Sequence, residues 1–267
     1  MRKSLLDLRE VVKEVTKNVP ASHGWPHLRK AGEIACYLAL RLGIDPFLAV
    51  VSAFVHDLRW WDESERKVRK IKVGESQKAT MSAEEVLAKA GASLDDQRVI
   101  LEAIAKHSSR SLGASLNLTT SILRDADRAS RMGYEGLLSI LTANNGYTVP
   151  FYNEGNPILW DPSMPLVPNE EIKSCVDDVR ACQSWWLIQE TTPGKMLFRV
   201  VGWVNYQFLQ IFQKNRGTYE TWIPRLEEIL RTQQKIRENL CESLLEKENI
   251  SSYEETVLNL ESPCLIY

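Results

Sequence analysis

The segment Phe47-Leu48-Ala49-Val50-Val51-Ser52-Ala53-Phe54-Val55 is apolar nearly all round, and it runs straight into His56-Asp57. A helix without a polar face belongs in the middle of a fold. The two polar groups at its end therefore need partners, because burying an unpaired charge is expensive. The rest of the chain has the same period. Apolar residues recur at i, i+3 and i+4, and no sustained period-2 alternation occurs, which predicts an all-α fold.

Stop and start signals divide the pattern. Leu5, Leu8, Val12 and Val15 mark a first helix that runs out before Pro20. Pro26 opens a second, whose stripe is Ala31, Ile34, Ala35, Leu38 and Leu42 and whose end is Gly43. Asp45-Pro46 caps the apolar third helix, expected from Phe47 to about Leu58. Residues 59–79 interrupt with mixed charge, including the basic run 66–72, for which a solvated face is the ordinary explanation. Ser82 with Glu85 forms a capping box for a helix ended by Gly91, and Ser93 with Asp96 opens another that carries Val99, Ile100, Ala103 and Ile104 up to His107. Leu118 to Met132 is a further helix. Three regions follow: a helical domain over 1–143, a loop over 144–168 rich in Pro, Gly and Asn, and a C-terminal helical extension over 169–267 packed on the first. Within that extension helices are expected at roughly 169–190, 195–214 and 218–248, with the tryptophans in its core.

Composition narrows the function. The 267 residues are 44% hydrophobic and carry 33 Lys+Arg against 35 Asp+Glu, a net charge of -2. This balance argues against disorder and against a cationic nucleic-acid binder. No spanning apolar stretch appears, so no membrane partner is expected. Five cysteines without CxxC spacing read as reduced thiols, which points to the cytoplasm.

Only four histidines occur, all before residue 108. His27 opens one helix, His56-Asp57 ends another, and Asp127 lies in a third. Imidazole nitrogens and carboxylate oxygens together suit one divalent cation of the Mn, Mg, Co, Ni, Fe or Zn kind, with positions left for water and a phosphate oxygen. Alone, His56-Asp57 reads equally well as a helix C-cap.

Four parts in order carry a resemblance: His23 with His27, Ala53-Phe54-Val55-His56-Asp57-Leu58, Ala105-Lys106-His107-Ser108, and Asp125-Ala126-Asp127-Arg128. They are similar to the HD-domain superfamily, and most to its stand-alone metal-dependent phosphohydrolases with an SHxxxH opening and a DADR closing motif. The likeness spans roughly residues 20–142. It implies an HD-domain helical bundle with additional C-terminal helices. It also implies His27, His56, Asp57 and Asp127 as metal ligands. Asp57 and His107 are then expected in catalysis, the latter orienting a phosphate or protonating a leaving oxygen, and Arg128, Arg59 and Lys106 on the substrate. Asp125 and Asp127 point about 200° apart on a helix, and the family pattern places the ligand directly before the basic residue.

The substrate class implied is a nucleotide or related phosphate ester. Two other readings compete: an HD scaffold kept as a binding module without turnover, and a di-iron oxygenase, which needs more histidines than His107 between the His-Asp pair and the last Asp. After Arg128 the chain leaves the family pattern with Ala129-Ser130-Arg131-Met132-Gly133-Tyr134, and 144–267 resembles nothing familiar. Its tryptophan-bearing faces are compatible with a homo-oligomer.

Overall fold

The computed structural model describes residues 5–19, 23–59, 81–107, 117–142, 149–218, 220–229 and 231–232. All regular structure among them is helical, with no strand. The α-helices are α1 (Leu5–Val15), α2 (Trp25–Arg41), α3 (Phe47–Val55), α4 (Ala83–Lys89), α5 (Leu94–His107), α6 (Leu118–Ser130), α7 (Gly133–Thr142), α8 (Cys175–Ser184) and α9 (Thr192–Lys214). Residues 220–229 are helical as well. The basic run 66–72 and the expected helix beyond 232 lie outside the described residues.

Local chemistry sets the ends. The Ser82 hydroxyl accepts from Glu85 N while the Glu85 carboxylate accepts from Ser82 N, completing the capping box. Ser93 Oγ accepts from Asp96 N, and Asn117 Oδ1 accepts from Thr120 N, so α5 and α6 each begin on a side-chain cap. Gly43 and Gly91 stop α2 and α4 at φ of 70° and 69°, a region that favours glycine. Two expectations change. The apolar helix ends at Val55, and His56–Arg59 continue as a 3₁₀ turn. The helix expected over 169–190 is broken into 3₁₀ Asn169–Glu171, α8, and 3₁₀ Trp185–Ile188.

The chain divides into two units. The first holds the described residues up to Ser130 together with Ile188–Lys195, and the second the remainder. In the first, α2, α3 and α6 pack on one another, and α5 packs on α3 and α6. Leu28, Leu38, Ile100, Ile122 and Leu123 are among its fully buried side chains. In the second, α7 packs on α8, and Phe151, Tyr152, Phe208, Phe212 and Trp222 form an aromatic cluster with ring centroids 5.3–5.7 Å apart. Trp160 is buried there, but of the tryptophans expected in the core of the extension Trp185 and Trp186 are half-buried and Trp203 is 59% exposed.

Helices α2 and α3 cross closely because position 32 has no side chain. A Cβ on Gly32 would come within 2.2 Å of Phe54 Cε1. This approach matters for the site, since α2 carries His27 and α3 leads into His56. Gly32→Ala is expected to cost about 1–3 kcal/mol through overpacking, measured by urea denaturation. Unchanged stability would show that the two helices do not meet so tightly.

Candidate metal centre

His27, in the first turn of α2, His56 and Asp57, on the 3₁₀ turn after α3, and Asp127, near the end of α6, converge inside the first unit. His27 Nε2 stands 3.2 Å from His56 Nε2. It is 3.3 Å from both Asp57 Oδ2 and Asp127 Oδ1, and His56 Nε2 is 3.5 Å from the same two oxygens. The side chains of His27, His56 and Asp57 are all but sealed from solvent, at 3%, 0% and 3% exposure, whereas Asp127 retains 17%. The cluster therefore has one wetter side.

Neighbours fix which ring nitrogens face inward. His56 Nδ1 lies 2.7 Å from the Ala53 carbonyl, so Nδ1–H donates there and Nε2 presents its lone pair to the cluster. Ser130 Oγ donates to the Asp127 carbonyl at 2.6 Å and lies 2.9 Å from His27 Nδ1, whose N–H it therefore accepts. His27 Nε2 is again left as a lone pair. Such outer partners orient metal-binding imidazoles in general. The sequence reading missed Ser130, although its place three residues after Asp127 puts it on the same helical face.

Two inward lone pairs and two carboxylates at these distances repel one another unless positive charge sits among them. With metal–ligand bonds of about 2.1 Å, adjacent ligand atoms stand about 3.0 Å apart at right angles and about 3.4 Å apart at tetrahedral angles. The observed separations of 3.2–3.5 Å fit that range. Asp57 Oδ2 is buried without a hydrogen bond of ordinary geometry, as an oxygen reserved for a cation would be. His27, His56 and Asp57 form one group able to hold a metal ion, and His56, His107 and Asp127 form another that shares His56.

In the absence of a cation a proton takes its place. Burial opposes charging of His56, but the carboxylates of Asp57 and Asp127 and the Ala53 carbonyl outweigh it and hold the imidazole up at about 9. Burial likewise works against ionising Asp57, yet His56, His27 and His23 keep it well below the usual carboxylate range.

His107, the last residue of α5, joins the edge of the cluster. One of its ring nitrogens lies within 4.8 Å of the donor atoms of both His56 and Asp127. Its Nδ1 is 2.5 Å from the Ile104 carbonyl, leaving Nε2 directed elsewhere. Burial first, and the neighbouring His56 second, lower its pKa. A neutral ring is suited to orienting a water or a phosphate oxygen, and less to donating a proton. His23 is buried with its ring centroid 6.2 Å from that of His27.

Two of the cationic residues expected on the substrate have partners within the protein. Arg128 is buried and its Nη1 donates to the Ile188 carbonyl, 3.9 Å from Asp125 Oδ1 being its nearest carboxylate contact. One position beyond Asp127, it is turned about 100° around the helix. Lys106 is paired with Glu102 one turn earlier on α5. The Arg59 side chain lies outside the described residues.

Binding a metal must expel the His56 proton, because only a neutral imidazole ligates. Apparent Mn²⁺ affinity is therefore expected to rise by roughly tenfold per pH unit below about 9 and then level off. Calorimetric titration in buffers of differing ionisation enthalpy should record proton release. Affinity independent of pH between 6 and about 8 would contradict this protonation state.

Residues 24–132 match the family model of the HD domain. No curated protein matches the sequence. Among solved structures, a Lactobacillus plantarum protein superposes with a TM-score of 0.56 at 18% identity, covering 79% of this chain and 97% of its own. Bacillus subtilis YpgQ, solved in complex with ADP, gives 0.55 at 18% identity over 82% of this chain and 100% of its own. An HD-superfamily hydrolase from Bacillus thuringiensis gives 0.52 at 17% identity over 79% and 95%. At these identities the likeness establishes a shared fold. The stretch that brings His27, His56, Asp57, His107 and Asp127 together lies within residues 24–132, which match the HD-domain model.

Proposed function

We propose that the protein is a metal-dependent phosphohydrolase acting on a nucleotide or a related phosphate ester. The observation that carries this reading is that the His27 and His56 Nε2 atoms stand 3.2 Å apart, each within 3.3–3.5 Å of a carboxylate oxygen of both Asp57 and Asp127. A bound divalent cation would supply an acidified water and polarise a phosphoryl oxygen.

His27, His56, Asp57 and Asp127 are the ligands in this reading. Ser130 and the Ala53 carbonyl hold the two imidazoles in the tautomer that ligates. Asp57, ionised through the working pH range, is also placed to accept a hydrogen bond from the attacking water. His107, neutral at the edge, orients that water or a phosphate oxygen. Asp127, the more exposed carboxylate, marks the side from which substrate enters. Arg128, with Lys106 and Arg59, is the group expected to meet substrate charge, one Arg128 donor being engaged by the Ile188 carbonyl.

The nucleotide part of the proposal draws on sequence resemblance and on the fold shared with YpgQ, which was solved with ADP. A phosphate-release and pyrophosphate-release screen over nucleotides and simple phosphate esters, with Mn, Mg, Co and Ni, tests it. Asp57→Ala and Asp127→Ala are expected to lose at least about a hundredfold in rate while keeping their helical circular dichroism. Metal-loaded wild type that is inert toward every phosphorylated compound would contradict the reading. Two irons per chain with oxygen uptake would replace it with the di-iron alternative.

A further inference from the structure

Helix α6 has two sets of partners. Asp127 and Ser130 meet His27 and His56, while Arg124, Asp125 and Arg128 bond to residues 188–191. That second set is committed to a segment sixty or more positions along the chain. Asp125 Oδ1 accepts from Glu190 N, and Oδ2 accepts from both the backbone N and the hydroxyl of Thr191, each at 2.7 Å. The Thr191 hydroxyl in turn accepts from Gly194 N at 3.0 Å, which makes Thr191 the N-cap of α9. Arg124 pairs with Glu190, and Arg128 donates to the Ile188 carbonyl.

The fit is close enough to dictate residue type. Asp125 is fully buried, and a Cβ on Gly194 would come within 2.2 Å of Asp125 Oδ2. A carboxylate with three donors converging on it, at the positive end of a 23-residue helix, is a strong anchor. The lever behind it is short. Side chains extend about 5 Å from a helix axis, so rolling α6 by about 20° would move the Asp127 carboxylate by about 2 Å. That displacement equals a whole metal–ligand bond.

We propose that Asp125 is a positioning residue for the metal centre: by clamping the start of α9 it sets the roll of α6, and so the reach of Asp127 toward His27 and His56. The inference rests on the metal-site reading and on contacts within the first unit.

Three variants disturb the clamp without touching a ligand. Asp125→Asn turns an acceptor into a donor that faces donors, Thr191→Val removes the hydroxyl, and Gly194→Ala wedges the helix start away. Co²⁺ affinity and the visible d–d spectrum are read alongside Tm. Each variant is expected to weaken Co²⁺ binding by at least tenfold and to alter the spectrum, whereas Thr191→Ser, which keeps the hydroxyl, restores both. Lowered Tm with affinity and spectrum unchanged in all three would overturn the proposal and leave the clamp purely structural. Wild type that binds no Co²⁺ would instead overturn the metal reading beneath it.

Discussion

Four polar side chains meet in a space where water hardly reaches and where their own charges repel. His27 and His56 aim lone pairs at one another across 3.2 Å, with the carboxylates of Asp57 and Asp127 alongside. Without a positive charge among them this is a costly arrangement, so the fold has to over-determine it. Helices α2, α3 and α6 do so through their packing, and the absent side chain at Gly32 lets the first two draw close. The remaining polar contacts act on orientation. Ala53 and Ser130 choose the ring nitrogen that faces inward, and Ser130 ties the His27 ring to the backbone of Asp127 itself.

Opposite demands are thereby met by a single helix. On one side of α6 the Asp127 carboxylate lies against the two imidazoles. The face away from them is crowded with donors: Glu190 N, Thr191 N and the Thr191 hydroxyl all satisfy Asp125. Two aspartates separated by one alanine thus have unrelated environments, because 200° of helical rotation separates them. The same geometry accounts for Arg128, which shares the clamped face and so donates to Ile188.

Much of this was legible in the chain. Apolar residues all round Phe47–Val55 mark a central helix, and Ser82, Ser93, Gly43 and Gly91 set boundaries through chemistry that acts within a few residues. The convergence of His27, His56, Asp57 and Asp127 was expected from motif order, which periodicity alone would not supply. What escaped depended on long-range contact. That Arg128 would be captured by Ile188 requires knowing where residues 188–195 return. Helix α7 was overlooked because Gly133 and Gly136 weaken its local signal; Gly136 is needed where a Cβ would lie 2.2 Å from the Arg131 carbonyl carbon. The 3₁₀ turn at His56–Arg59 also has no signature in side-chain spacing, and it decides where His56 and Asp57 point.

Anomalous diffraction from crystals grown with Mn²⁺ addresses the central claim most directly. The account requires a strong peak bounded by His27 Nε2, His56 Nε2 and the carboxylates of Asp57 and Asp127, at about 2.0–2.3 Å from each. A Mn²⁺-replete crystal with no peak there, or with those four groups paired only among themselves and with water, would contradict it.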